Sequence, residues 1–239
     1  MATGWSSSIT RKRAWVAACC LAFAAGCDGG SQQVLSLQQC AALSFSGPMT
    51  VTIGPGATAG AIAISGPDSA ITGLDITRSP DDSRVAFAGV EAVDVQITCA
   101  PGHTLVIVGL QRARVAATGV AVARLGAYGD SVVRFEGSSD ELDARASGAA
   151  ELVVTVEAGT ITVLASGKAR VSLTGAADEL VVDAGGTAMV AAGELRAQDV
   201  SVRAAGDSDV LVWPSAHLRT SERDNSTVRS RGDISAEPL

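Results

Sequence analysis

Aromatic side chains are scarce in this sequence: four Phe, three Trp and one Tyr amount to 3% of 239 residues. A core short of large rings is filled by small and β-branched side chains, which suit thin, regular β-layers better than a bulky interior. Histidine is scarcer, with only His103 and His217, and neither sits in a matching Ser, Cys or carboxylate motif. Charged residues reach only 18% against 47% hydrophobic ones, a balance that excludes a disordered chain. Eighteen basic residues face 25 acidic ones, and the net charge of −7 argues against nucleic acid, whose phosphates demand Lys and Arg. No apolar run reaches the ~20 residues that span a bilayer.

What is abundant is Gly, with 26 residues, together with Ala and Val. The N-terminus reads as an export signal over residues 1–26: Arg11-Lys12-Arg13 is a basic start, and Ala14 to Ala25 is an apolar stretch too short to cross a membrane. It ends in Ala24-Ala25-Gly26-Cys27, which resembles the lipobox of bacterial lipoproteins, where the Cys thiol takes a diacylglycerol. Cys27 is therefore the expected lipid-attachment site, and the protein is expected on the cell envelope, at a periplasmic or outer surface. Ala22-Phe23-Ala24 offers ordinary signal peptidase a competing site and a secreted product, Cys20 offers a shifted lipobox, and an uncleaved anchor is a further alternative. Removing residues 1–26 leaves 15 basic against 25 acidic residues, a net charge of −10. Of the five cysteines, Cys40 and Cys99 then remain, 59 positions apart, as a disulfide pair or as two buried thiols. Without a nearby His they make a poor metal site.

The body of the chain repeats itself. Gly137-Ser-Ser-Asp140-Glu141-Leu142 returns as Gly175-Ala-Ala-Asp178-Glu179-Leu180 after 38 residues, twice the working period. Glycines mark that period at Gly47, Gly66, Gly89, Gly109, Gly129, Gly148, Gly167, Gly186 and Gly206, with Asn225 in the next place, at intervals of 19, 23, 20, 20, 19, 19, 19, 20 and 19. Flanking columns agree: Leu142, Ile161, Leu180 and Val200 stand six before the marker, and Ala127, Ala146, Ala165, Ala184 and Ala204 two before it. Each period is two runs of alternating apolar and polar residues joined at a glycine, the rhythm of half-buried strands. No stretch keeps a 3.6-residue apolar face.

Like residues at like positions every ~19 residues favour coils stacked in parallel over hairpins of a sandwich. The expected fold is an all-β, single-domain parallel β-helix (β-solenoid) of about ten coils, with the glycines and Asn225 at coil corners where φ is positive. Its cross-section narrows where the column two before the marker changes from Phe and Ile to Ala. Residues 27–37 are expected to be a short linker and 38–237 the solenoid, with Ser31 to Ala42 covering one end and the polar tail Arg219 to Arg231 the other.

The opening phrase Leu43-Ser-Phe-Ser-Gly47-Pro-Met-Thr-Val51-Thr-Ile53 and the units Ala146-Ser147-Gly148 and Ala165-Ser166-Gly167 resemble the family of putative auto-transporter adhesin head domains, also called GIN domains. The resemblance covers roughly residues 38–237. Where the family has a second glycine two places after the first, this chain has Ala150, Ala169, Ala188 and Ser208. The resemblance implies a β-helical fold without an established catalytic site, and the family's name suggests adhesion.

No catalytic, metal or cofactor site is expected. Asp143 and Asp183, 40 residues apart, read as solvated positions two coils apart on one outer face, the arrangement that β-helical polysaccharide enzymes exploit. Asp207-Ser208-Asp209 fits no calcium loop and reads as an acidic turn. Arg112, Arg114, Arg124, Arg134, Arg145 and Arg170 are candidates for an outer basic ladder for anionic glycans, or for pairing with neighbouring carboxylates. Trp213-Pro214 reads as a plug over the end of the core, and His103 and His217 as loop residues. The expected partners are a membrane, through the lipid, and a protein or glycan ligand on the exposed surface. A glycan-active enzyme and a structural envelope spacer are the alternatives.

Overall fold

The computed structural model describes residues 31–36, 41–56, 60–79, 84–100, 104–232 and 234–239. The export signal, Cys27, Cys40 and His103 lie outside the described residues. Among those described, the chain forms one continuous sheet of β-strands and a single one-and-a-half-turn helix.

The regular part begins at β8 (Thr104–Leu110) and β9 (Arg114–Thr118), and continues through β10 (Ala121–Gly129), β11 (Val132–Gly148), β12 (Glu151–Ala165), β13 (Arg170–Ala184), β14 (Met189–Ala204), β15 (Asp209–Glu222), β16 (Thr227–Ser230) and β17 (Glu237–Pro238). Every neighbouring pair in this series is parallel. The chain is a β-solenoid of about seven turns. Each long strand runs along two faces, bending near Asp140, Gly159, Asp178 and Gln198, where the register skips a residue.

The periodic columns are physical stacks. Leu125, Ala144, Val163, Val182 and Val202 lie one above another, as do Val133, Leu152, Val171, Val190 and Val210, all buried. The alanine column is continuous from Ala127 to Ala204, and on its N-terminal side it meets Gly109, Phe45 and Phe87 in turn. Phe45 and Phe87 stack with ring centroids 5.2 Å apart. The side chain in this column thus falls from phenyl to a hydrogen at Gly109 and stays at a methyl beyond it. Since the rung spacing along the axis is fixed by hydrogen bonds near 4.8 Å, a smaller inward side chain brings the facing walls closer instead of the rungs.

The corners explain the glycine period. Gly129, Gly148, Gly167, Gly186 and Gly206 have φ between 71° and 79°. Their carbonyls carry the ladder round the bend, with Lys168 N–H donating to Gly148 O at 2.7 Å and Thr187 N–H to Gly167 O at 2.8 Å. Ala150, Ala169 and Ala188, two residues after these glycines, are buried beside this corner. Ser131 and Ser208 hold the same place at either end of that series and are buried too. Ser131 Oγ donates to Gly109 O at 3.0 Å, which satisfies a hydroxyl that burial would otherwise penalise.

Four of the expected corners differ. Gly109 lies inside β8 in the inward column, and Gln111 and Arg112 take the left-handed corner conformation with φ of 35° and 66°. Gly89 is absent from the positive-φ residues although it stacks against Gly47, whose φ is 106°. Asn225 is displaced by its neighbour Asp224, with φ of 62°, while the Asn225 amide donates to Asp207 at 3.1 Å. Gly66 ends β4 (Ala61–Gly66), an antiparallel strand that belongs to no coil.

The N-terminal end also departs from simple chain order. β2 (Ala42–Ser46) and β3 (Met49–Pro55) form the first coil, and β6 (Arg84–Ala88) and β7 (Val93–Cys99) the next. Yet β2 pairs with both β6 and β8, and β3 with both β7 and β9. The first coil therefore lies inside the stack and the second lies outside it. Antiparallel strands cover that outer coil: β4 on β7, β1 (Ser31–Ser36) on β4, and β5 (Asp75–Arg78) on β6. The helix α1 (Asp68–Gly73) buries Ala70, and Leu74 after it is buried as well. Ser31–Ser36, expected within a linker, is thus an edge strand, and where about ten coils were expected the solenoid has about seven turns, its first two levels out of chain order. This arrangement ends the stack in antiparallel strands instead of an open parallel coil.

Candidate binding groove

Rungs repeating every ~19 residues place polar residues in outer columns as regularly as they place aliphatic ones inside. One such column runs Glu141, Thr160, Glu179, Asp199 and His217. It flanks the second bend, where Gly159 approaches the Asp140 carbonyl so closely that a Cβ would stand 2.8 Å from it. The result is a shallow groove of about 630 Å³ lined by Gly159, Thr160, Asp178, Glu179, Asp199, Ser201, His217 and Arg219.

His217 Nδ1 and Asp199 Oδ1 are 2.6 Å apart across adjacent rungs, with 69% and 55% of their side chains exposed. His217 therefore lies on β15 in a cross-rung pair, and the loop position expected for it is corrected. Glu179 and Asp199 are register partners, so their Cα atoms are about one strand spacing, ~4.8 Å, apart. The groove offers carboxylate and hydroxyl acceptors, hydroxyl donors, one imidazole and one guanidinium, a set able to hydrogen-bond a polyhydroxylated or cationic ligand. Among the described residues no three His, Cys, Asp or Glu side chains converge to hold a metal.

The other sequence candidates separate. Asp143 stacks on Thr162 and Val181, whereas Asp183 stacks on Leu164 and Arg145, so the two aspartates occupy neighbouring columns. Between them Leu164 is 39% exposed. Asp143 is engaged instead by Arg124 at 2.9 Å and Arg145 at 2.8 Å. Burial alone pushes its pKa up, but hydrogen bonds from Arg145 and then Arg124, with their charges, prevail and hold it below the usual carboxylate range. Its hydrogen bond and charge in turn push Arg145 up.

The six arginines form no single ladder. Arg124 and Arg145 belong to one face, while Arg114, Arg134 and Arg170 lie along the other, with Arg134 3.4 Å from Glu151. Asp207 and Asp209 engage Asn225 at 3.1 Å and Arg229 at 2.6 Å, as an acidic turn does. Trp213 is half-buried beneath the Arg231 guanidinium, 4.9 Å from its ring centroid, so one ring face is already occupied. Cys99 is buried and disulfide-bonded.

Inward columns alone do not reveal this groove, because its residues point outward from the same strands. The signal that could find it is the repeated phrase Asp140-Glu141-Leu142 and Asp178-Glu179-Leu180: applying the period to the polar positions puts Glu141 and Glu179 in one column.

Stacked parallel rungs, glycine corners and an antiparallel end cap define a single-domain β-solenoid of the kind that displays its outer columns on a rigid frame. The model of the family described as putative auto-transporter adhesin, head GIN domain, matches residues 42–233, and the chain belongs to that family. No curated protein matches it. A solved structure described as a putative adhesin from Parabacteroides merdae aligns with a TM-score of 0.74 at 15% identity, covering 90% of this chain and 93% of that one. A second putative adhesin, from Parabacteroides distasonis, gives 0.65 at 15% identity, covering 89% and 98%. A structure from the same species described as a putative lipid binding protein gives 0.62 at 12% identity, covering 90% and 98%. At these identities the likeness is one of fold. No helix among the described residues is long and apolar enough to cross a membrane.

Proposed function

We propose that this protein is a non-enzymatic lipoprotein of the cell envelope, held to a membrane by a diacylglycerol on Cys27 and presenting its solenoid for adhesion to, or interaction with, a protein or glycan. The observation that carries the reading is the outer column from Glu141 to His217, fixed on rigid rungs yet open to water. Exposed groups in fixed register suit reversible hydrogen bonding to a large ligand, because the backbone that carries them gains little order on binding. Strong transition-state stabilisation, by contrast, draws on a water-excluded site. The family's adhesin description agrees with the reading. The same reading joins Cys99 to Cys40 within the exported body.

A glycan array and a pull-down with the protein from residue 28 onward test the binding role. Capture that is lost on Asp199→Asn and Glu179→Gln supports it; silence in both assays leaves a structural spacer. Radiolabelled palmitate enters the wild type and not Cys27→Ala if the anchor is as proposed. One observation favours a second reading, a glycan-active enzyme: Glu179 and Asp199 are register partners on adjacent rungs beside His217, and a pair of carboxylates is what glycosidases use. Release of new sugar ends from a polysaccharide, abolished by Asp199→Asn, would establish that reading over the first.

A further inference from the structure

The orientation of the solenoid on a membrane depends on the diacylglycerol proposed at Cys27, because the chain leaves little slack between that residue and the fold. β1 begins at Ser31, and from that residue the backbone is locked in register with β4 by the pairs Ser31 with Gly66 through Ser36 with Ala61. Four residue steps separate Cys27 from Ser31, and even a fully extended chain covers at most about 14 Å in four steps. A lipidated Cys27 lies at the level of the headgroups, so the end of the solenoid that carries β1 has no room to stand away from the bilayer.

We infer that the antiparallel cap, made of β1, β4, α1 and β5, is the face that docks on the lipid surface, and that the solenoid points its C-terminal end away from it. Two further observations select the end over a side. Val34 on β1 and Val90 in the turn before β7 are 69% and 81% exposed, more than the other exposed large apolar side chains, Leu164, Met189 and Leu239. Both belong to this end, because Val90 adjoins Glu91, whose carboxylate accepts the Ser69 hydroxyl of α1 at 2.8 Å. Apolar side chains there gain by entering the interface. A side-on arrangement would instead lay acidic columns such as Glu141, Glu179 and Asp199 along the membrane, and the exported body carries a net charge of −10. Anionic headgroups repel such a body.

The orientation sets where the groove is offered. Counting strands from β6 through β2, β8, β10 and onward, Thr160 on β12 stands five steps and Arg219 on β15 eight steps along the stack. At ~4.8 Å per step the groove stands about 24 to 38 Å beyond β6, clear of the headgroups and facing the medium. Its ligand is then met in solution or on an opposing surface, and not among the lipids that hold the protein.

Native fluorescence reads this directly. Trp5 and Trp15 leave with the signal, so Trp213 is the single Trp of the exported protein. It lies on β15, nine strand steps from β1, about 43 Å away. The full acylated protein is reconstituted in phosphatidylcholine–phosphatidylglycerol vesicles containing headgroup spin-labelled lipid, and co-flotation and palmitate labelling are scored in the same preparation. The expected result is negligible quenching of Trp213 and several-fold stronger quenching of a Thr72→Trp, Trp213→Phe variant, which moves the reporter to the exposed side of α1. A floating, palmitate-labelled protein with quenched native Trp213, or with equal quenching at both sites, overturns the orientation and leaves the anchor standing. Absence of palmitate and of flotation overturns both. The native Trp213 measurement keeps the test decisive if the double variant does not fold.

Discussion

Gly185 and Gly186 are adjacent in the sequence and face opposite physical constraints, so replacing each by Ala isolates what the corner demands. At Gly186 φ is 73°, and an added Cβ would stand 3.1 Å from the Gly167 carbonyl oxygen and 3.2 Å from its nitrogen. At Gly185 no atom lies within 4 Å of the new methyl and no positive φ is involved. Placing an L-residue in the left-handed region costs about 1–2 kcal/mol. The carbonyl cannot yield without disturbing the hydrogen bond it accepts from Thr187 N–H at 2.8 Å, which adds a fraction of a net hydrogen bond, about 0.5–1 kcal/mol. Both variants regain about 0.4–1 kcal/mol through a less flexible unfolded chain. Gly186→Ala is therefore expected to lose about 2 kcal/mol, and Gly185→Ala to gain about 0.4–1 kcal/mol. Urea denaturation followed by far-UV circular dichroism, with the slope compared between variants, measures the difference, and melting should fall by about 4–8 °C for Gly186→Ala alone. If the two variants agree within about 0.5 kcal/mol, the corner glycines are required neither for conformation nor for close stacking, and the glycine period has some other cause.

Ala165→Leu forces three extra carbons into a column where Ala146 and Ala184 lie one rung to either side, and a loss of about 2–3 kcal/mol by denaturant titration is expected. Phe45→Ala removes a ring stacked on Phe87 at 5.2 Å and should cost about 3–5 kcal/mol, with an increase in bound hydrophobic dye. Asp143→Asn loses a charge-assisted contact to Arg124 and Arg145, both about half exposed, so about 1 kcal/mol is expected at pH 7. Because the folded pKa of Asp143 is lowered, its contribution is full above the ordinary carboxylate value and disappears as pH falls through the lowered one, so the difference between wild type and variant should close over that fall. Non-reducing peptide mapping should recover Cys40 linked to Cys99; a bridge closing some 59 residues contributes about 4 kcal/mol, so reduction should lower the melting temperature by roughly 10 °C.

The regular half of the solenoid was legible because one physical constraint, parallel stacking at fixed rung spacing, repeats there without interruption. Leu142, Ile161, Leu180 and Val200 share a column in the sequence and in the structure. Legibility failed where local and periodic signals compete. Gly109 fits the spacing of a corner, yet it fills the inward column between Phe45 and Ala127, and the corner moves two residues on to Gln111 and Arg112. Ile62 and Ile64 alternate as coil residues do, but alternation carries no strand direction, and β4 runs antiparallel. The groove depends on Asp178, Glu179, Asp199 and His217 coming together from three successive turns, so each looks like an ordinary surface residue when read along the chain.

The amino-acid pattern dictates the architecture: the ~19-residue period, the two-residue alternation and the glycines between them leave parallel coils as the way to bury every aliphatic column at once. It also supplied the small inward residues that set the girth of the stack. The order of the first levels, the antiparallel cap and the partnership of Asp199 with His217 emerge in the folded molecule alone. Those features arise from pairings between segments far apart in the chain, where hydrogen-bonding strand edges accept any backbone that presents the right shape, and side-chain pattern along one segment does not say which neighbour it will find.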